Sequence, residues 1–207
     1  MIIAVDGPAA AGKGTVARAL ARHFGYHFLD TGSLYRMVGL AVLRAGGKPQ
    51  DQAAAIRSAQ TLNPKSFNDE DLRNEDVGAA ASIVAVIPEV RTALLDFQRA
   101  FARQGPGAVL DGRDIGTVVC PDADVKLYIT ASPEVRAERR MKELNDRGGV
   151  FAFEDVLAEI RSRDARDIGR TAAPLVAAND AVVIDTSGMG IDEAVEAAIG
   201  VADRARS

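Results

Sequence analysis

The 207-residue chain has no tryptophan, one cysteine and two histidines, and only 5% of it is aromatic. A lone cysteine, Cys120, cannot close an internal disulfide. With only His23 and His27 beside it there is no cluster of zinc-ligand spacing, so a disulfide scaffold and a structural zinc site are both excluded. Cys120 stands in Val118-Val119-Cys120-Pro121, at the end of an apolar patch, and reads as a small buried hydrophobe; both histidines read as space-fillers. Long hydrophobic runs are missing too: the stretch from Ala79 to Ile87 is interrupted by Ser82, far short of the ~20 residues a spanning helix needs. Nor is there an excess of positive charge. Lys and Arg total 25 against 29 Asp and Glu, a net charge of −4, which argues against nucleic-acid and membrane-surface partners because both require a basic face. The opening Met1-Ile2-Ile3-Ala4-Val5 lacks the basic region, apolar core and cleavage site of a signal peptide, so a cytoplasmic protein is expected.

What remains is an ordinary globular composition, 47% hydrophobic and 26% charged, in a chain long enough for one domain with an insert. Short β-branched runs alternate with longer helical patterns. Ile2–Val5, Ala108–Leu110, Val125–Ile129 and Ala181–Ile184 are apolar throughout and end in polar residues, as strands of a parallel sheet covered on both faces do. Between and after them the 3.6-residue period predicts helices over Lys13–Phe24, Pro88–Arg103, Pro133–Arg147, Glu154–Ile168 and Ile191–Arg204. In the second, Val90, Leu94, Phe97 and Phe101 form the expected core stripe; in the third, Ser132 is the expected N-cap. This alternation predicts a single three-layer α/β/α domain over 1–207, with ligands at the carboxyl ends of the strands. One polar region, Gly46 to Asp76, is too long for a connection and reads as an insert with a short helix near Gln50–Gln60.

The first strand runs into Gly7-Pro8-Ala9-Ala10-Ala11-Gly12-Lys13-Gly14-Thr15 and then a helix, which satisfies Gly-x-x-x-x-Gly-Lys in its required strand–loop–helix setting. Glycines allow the backbone to curl so that successive N–H groups converge on a polyphosphate. The helix N-terminus adds partial positive charge, and Lys13 bridges the outer phosphates. Gly14 stands where most such loops carry a Ser or Thr magnesium ligand; the hydroxyl comes one residue later, at Thr15. Magnesium is therefore expected to be carried mainly by ATP oxygens and water, with Thr15 and, through water, Asp111 as protein contacts. Asp185 is a weaker candidate at the end of the last strand, where an ordinary turn into Thr186-Ser187-Gly188 is the better reading.

Three further blocks carry charge toward the same edge. They are Leu29-Asp30-Thr31-Gly32-Ser33-Leu34-Tyr35-Arg36 at a helix head, Asp111-Gly112-Arg113-Asp114-Ile115-Gly116-Thr117-Val118-Val119 after a strand, and a helix with Arg163, Arg166 and Arg170 at i, i+3 and i+7. Arg136, Arg139 and Arg140 form a similar face on the preceding helix. Together with Ala173-Pro174-Leu175, these blocks resemble the bacterial cytidylate kinases, P-loop nucleoside-monophosphate kinases, over nearly the whole chain. The resemblance implies transfer of the ATP γ-phosphate to CMP or dCMP with Mg²⁺, by a protein expected to be a monomer. By matching position it implies that Lys13, Arg113, Arg139 and Arg140 are catalytic, the last two on a lid at about 139–154. It implies that Arg36, Arg113 and Arg170 hold the acceptor phosphate, that Ser82, Arg91 and Asp114 read the cytosine edge, and that Arg163 and Asp167 meet the ribose. Thr31 keeps the hydroxyl of a position where the family often has serine. The acceptor insert is expected at about 46–87, and because Asn63–Asn74 is brief and lacks strand alternation it should be more helical than in many members. Competing readings are a P-loop kinase for another small acceptor, UMP or a shikimate-like acid, and a non-catalytic nucleotide switch; a GTPase lacks its Asn-Lys-x-Asp motif here.

Overall fold

Ile2-Ile3-Ala4-Val5 is apolar on both faces, and it forms the central strand, β1 (Ile2–Asp6), of a five-stranded parallel sheet. The computed structural model describes residues 1–146 and 148–206. It divides into two compact units, Met1–Leu29 with Ala102–Ser207, and Asp30–Phe101.

In the first unit β1 is followed by α1 (Lys13–Phe24) and β2 (His27–Asp30). Later in the chain come β3 (Ala108–Gly112), β4 (Val125–Thr130), α7 (Pro133–Asp146), α8 (Phe153–Ile168), β5 (Val182–Asp185) and α9 (Ile191–Arg204). The strand order is β2-β3-β1-β4-β5, which is the expected three-layer arrangement with β1 in the middle. Register brings the carboxyl ends together: Val5 pairs with Asp111 and Asp6 with Gly112 on one side, and Asp6 pairs with Tyr128 on the other. Ile3, Val5, Leu127 and Ile129 pack with Val16, Leu20, Ala194 and Ala198 of α1 and α9 into one core, each full burial of a large aliphatic contributing roughly 1.5–3 kcal/mol. A smaller core of Ala137, Leu144, Val156, Leu157 and Ile160 joins α7 to α8. Ser132 Oγ accepts from Val135 N at 3.3 Å, as an N-cap should. The expected end of that helix at Arg147 lies outside the described residues.

The second unit is helical, with α2 (Thr31–Arg44), α3 (Gln52–Gln60), α4 (Asp69–Leu72), α5 (Glu75–Val84) and α6 (Pro88–Ala102). Leu34, Val38 and Val42 of α2 pack with Ala81 and Val84 of α5 and with Val90 and Leu94 of α6. The segment Asn63–Asn74 is a short 3₁₀ turn and α4, started by Asn63 and Asn68, whose side chains cap the backbone N–H groups of Lys65 and Asp71. The unit takes in α2 and α6 because their apolar stripes close the same core. The stripe of α6 also differs from expectation. Val90, Leu94, Gln98 and Ala102 are buried, while Phe97 is 44% exposed. The buried line advances by four residues each time, and Gln98 satisfies its own amide by donating Nε2 to Leu94 O at 3.0 Å.

Candidate functional site

The phosphate loop occupies the turn from β1 into α1. Gly7 has no alternative: a Cβ there would lie 1.9 Å from the Ile129 carbonyl oxygen of β4. Gly12 caps α1, so the loop delivers its amides to the helix N-terminus. Lys13 Nζ lies 3.4 Å from Asp111 Oδ1, and a Cβ on Gly14 would come within 3.1 Å of Asp111 Oδ2. The buried carboxylate at the end of β3 thus crowds the position after the lysine, where a side chain would press on it. Pro8, Ala9, Ala10 and Ala11 complete the loop, with Thr15 exposed on the first turn of α1.

Asp6 is a residue that sequence reasoning passed over. It is 4% exposed, and its two oxygens accept from the backbone N–H groups of Ile115 and Gly116, both at 2.7 Å. Burial pushes its carboxyl up to about 7, against those two amides, and the charges of Asp114 and Asp111 add to the rise. The block Asp111–Val119 therefore leaves β3 as a short π-helical turn, Ile115–Val119, anchored on the last residue of β1. π-turns recur at functional sites. Asp114 is buried just before this turn.

Arg113, half-buried, joins the buried Asp167 and Arg170 in one cluster. Arg113 Nε donates to Asp167 Oδ2 at 3.0 Å, and Arg170 Nη2 donates to Asp167 Oδ1, so each guanidinium takes one oxygen. Burial alone would raise the Asp167 carboxyl, but the guanidiniums of Arg113, Arg170 and Arg163 hold it below its ordinary value. The helical spacing of Arg163, Arg166 and Arg170 does not survive as one face. α8 ends at Ile168, Arg170 turns in to Asp167, and Arg166 Nη1 donates outward to Ser162 Oγ at 2.8 Å.

The three arginines of α7 also separate, because each meets a different acceptor. Arg136 is buried, with a bidentate pair to Asp164 at 3.0 and 2.6 Å and further donations to Ala131 O and, at 3.3 Å, to Ala9 O. Arg139 reaches the turn after β5, donating to Thr186 Oγ1 at 3.0 Å and Thr186 O at 2.6 Å. Arg140 Nη1 donates to Glu143 Oε2 at 2.6 Å. Arg139 and Arg140 line a cavity of about 530 Å³ with Gly12 and Thr15 of the phosphate loop and with Met189 and Ile191 beyond β5. Asp185 belongs to that turn: exposed, it accepts from Ser187 N at 2.9 Å and Ser187 Oγ at 2.6 Å, bonds that hold its carboxyl below the usual range.

The remaining expected residues lie in the second unit. Thr31 is buried at the first position of α2, where the cap is Asp30, whose carbonyl accepts from Ser33 Oγ at 2.6 Å. Arg36 Nη1 donates to Leu72 O at 2.8 Å. Ser82 is buried on α5, and Arg91 on α6 stacks over the Tyr35 ring at 5.3 Å while donating to Ala85 O at 3.2 Å.

Among the described residues no group of three or more His, Cys, Asp or Glu side chains could hold a metal ion by itself. The Asp111 carboxylate, at the end of β3, and the Thr15 hydroxyl, on the first turn of α1, are hard oxygen donors of the kind that would suit a magnesium ion keeping its phosphate and water ligands. No single described helix is long and apolar enough to cross a membrane.

A family model described as cytidylate kinase matches residues 3–204. The chain is 57% identical over 206 residues to a cytidylate kinase of Azorhizobium caulinodans, covering 100% of both chains. It is 56% identical over 205 residues to that of Rhodospirillum rubrum, covering 97% of this chain and 96% of the other. A solved gluconokinase from Sinorhizobium meliloti superimposes with a TM-score of 0.51 at 17% identity, over 99% of this chain and 93% of that one. That likeness speaks to the fold alone.

Proposed function

The chain belongs to the cytidylate kinase family, which transfers the γ-phosphate of ATP to CMP or dCMP, and we propose that the residues described above divide that reaction between them. The amides of Gly7–Thr15 and the Lys13 ammonium hold the donor phosphates, and Arg139 and Arg140 form the donor wall of a lid at about 139–154. Arg36, Arg113 and Arg170 hold the acceptor phosphate, Arg163 and Asp167 the ribose, and Thr31 supplies a hydroxyl on the acceptor side. Ser82, Arg91 and Asp114 read cytosine. Its N4 amino group donates to a carboxylate or hydroxyl, and its N3 and O2 accept from a guanidinium; uracil would turn a carbonyl toward the same carboxylate.

The observation that carries this reading is the shared carboxylate of Asp167, which holds the guanidiniums of Arg113 and Arg170 side by side at the carboxyl edge of the sheet. Two fixed guanidiniums suit a phosphate dianion and need little reorganisation when charge develops. Phosphoryl transfer then asks the protein for alignment and charge neutralisation more than for covalent chemistry. No general base is required, because the acceptor phosphate is already an anion. Lys13 neutralises the outer phosphates while Arg113 steadies the attacking oxygen. Asp111 and Thr15 would hold magnesium through water and hydroxyl, and that ion supplies charge neutralisation on the phosphate oxygens. The same reading makes the protein a cytoplasmic monomer without nucleic-acid or membrane partners.

An ADP-release assay over CMP, dCMP, UMP, AMP and shikimate tests it. CMP and dCMP should exceed UMP in kcat/KM by up to roughly 10⁴-fold, the range open to sites built on buried polar pairing. Equal turnover of UMP and CMP would remove Asp114 from base reading.

A further inference from the structure

Thr186, the first residue after β5, is 3% exposed and bonded on every side. Its N–H donates to Thr130 O at 2.8 Å. Its hydroxyl lies 3.1 Å from both Thr130 O and Ala11 O. A hydroxyl has one proton to donate, and Thr130 O already accepts the Thr186 amide, so Ala11 O is the better-served partner. The oxygen then remains available to accept from Arg139 Nη1, while Arg139 Nη2 donates to the Thr186 carbonyl.

This linkage acts on the phosphate loop through the geometry of the peptide bond. In a trans peptide the carbonyl of one residue and the N–H of the next point in opposite directions. Holding Ala11 O against Thr186 therefore turns the Gly12 N–H the other way. Arg136 does the same two peptides earlier by donating to Ala9 O, which turns the Ala10 N–H. Between these two anchored carbonyls Ala10 has φ of 59°, a left-handed conformation that an L residue adopts only when its surroundings hold it there.

We propose that Thr186 is a positioning residue for the phosphate donor: its hydroxyl orients the Ala11–Gly12 peptide of the phosphate loop and ties Arg139 to that loop. This rests on the reading of Gly7–Thr15 as the donor loop. Valine keeps the shape of threonine and removes the hydroxyl, whereas serine keeps the hydroxyl.

The test uses the full-length enzyme and compares Thr186→Val, Thr186→Ser and Lys13→Ala by steady-state kinetics and by calorimetric titration with inorganic tripolyphosphate. Thr186→Val should raise KM for ATP about tenfold, the equivalent of one net hydrogen bond to a loop that binds charge. It should weaken tripolyphosphate binding alike, with KM for CMP changed less than about twofold, and Thr186→Ser should restore both values to within about twofold. Should Thr186→Val be insoluble, Thr186→Ala takes its place against Thr186→Ser. Unchanged tripolyphosphate affinity in the hydroxyl-free variant overturns the proposal, as does an equal rise of both KM values. If Lys13→Ala also leaves tripolyphosphate binding intact, the donor-loop reading itself fails; if only Lys13→Ala weakens it, the Thr186 proposal alone is lost.

Discussion

Replacing Asp6 by asparagine should change how the stability of this protein depends on pH. The carboxyl is 4% exposed and burial raises it from 3.8 to about 7. Below about pH 4 the group is protonated in both folded and unfolded chains and contributes nothing to the balance. As pH rises from there toward 7, the unfolded chain releases its proton first. The folded state then binds more protons, so stability falls, by on the order of 4 kcal/mol once the folded group has ionised. Asparagine cannot ionise and removes that slope. It also has one acceptor oxygen where two amides, of Ile115 and Gly116, require one each. Leaving one buried N–H unsatisfied costs about 1–3 kcal/mol. Asp6→Asn should therefore be less stable than the wild type by about 1–3 kcal/mol near pH 4, and the order should reverse by pH 8. Urea unfolding of both proteins at half-unit intervals across that range reads the difference directly. Parallel pH profiles would refute the argument, because they would mean that the Asp6 carboxyl titrates alike in the folded and unfolded chains.

Other perturbations probe the two remaining charge clusters. Asp164→Ala leaves the Arg136 guanidinium buried with its bidentate partner gone, and should destabilise by about 3–5 kcal/mol; thermal or urea unfolding within 1 kcal/mol of wild type would contradict this. Asp167→Asn should raise KM for CMP more than KM for ATP, since it releases Arg113 and Arg170 from their shared carboxylate, and equal changes in the two constants would argue against it. Because the Asp167 carboxyl is held below its ordinary value, its stabilisation is present above the unfolded value near 3.8 and is lost as pH falls through the lower folded one. Wild type should accordingly show a steeper acid loss of stability than Asp167→Asn below about pH 4.

Much of the donor side was readable along the chain because its determinants are neighbours. Gly7 through Thr15 is contiguous, and it follows an apolar strand and precedes a periodic helix. The expected alternation of strands and helices appears with boundaries moved by a residue or two, as in β5, which spans Val182–Asp185 where Ala181–Ile184 was expected. Asp6 escaped notice because an aspartate ending a strand looks like any polar terminus, and the amides that give it a role belong to residues 109 and 110 positions away. Thr186 was read as part of a turn for the same reason: its hydroxyl partner, Ala11, is 175 residues distant.

Local order in the amino acids was enough to establish the parallel strands, the helix starts and the anion-binding loop, since backbone conformation and apolar period depend on residues within a turn or two of one another. Folding alone decided what each charge faces. Arg136, Arg139 and Arg140 are alike in sequence, yet one is buried on Asp164, one is tied to Thr186 and one lies on Glu143. Gln98 likewise takes the buried place expected for Phe97, because burial follows the packed neighbour and not the hydropathy of the side chain. Partners brought in from remote segments set the desolvation and the hydrogen bonds of a charged group, and those two quantities determine whether it is structural, positioning or free to meet a nucleotide.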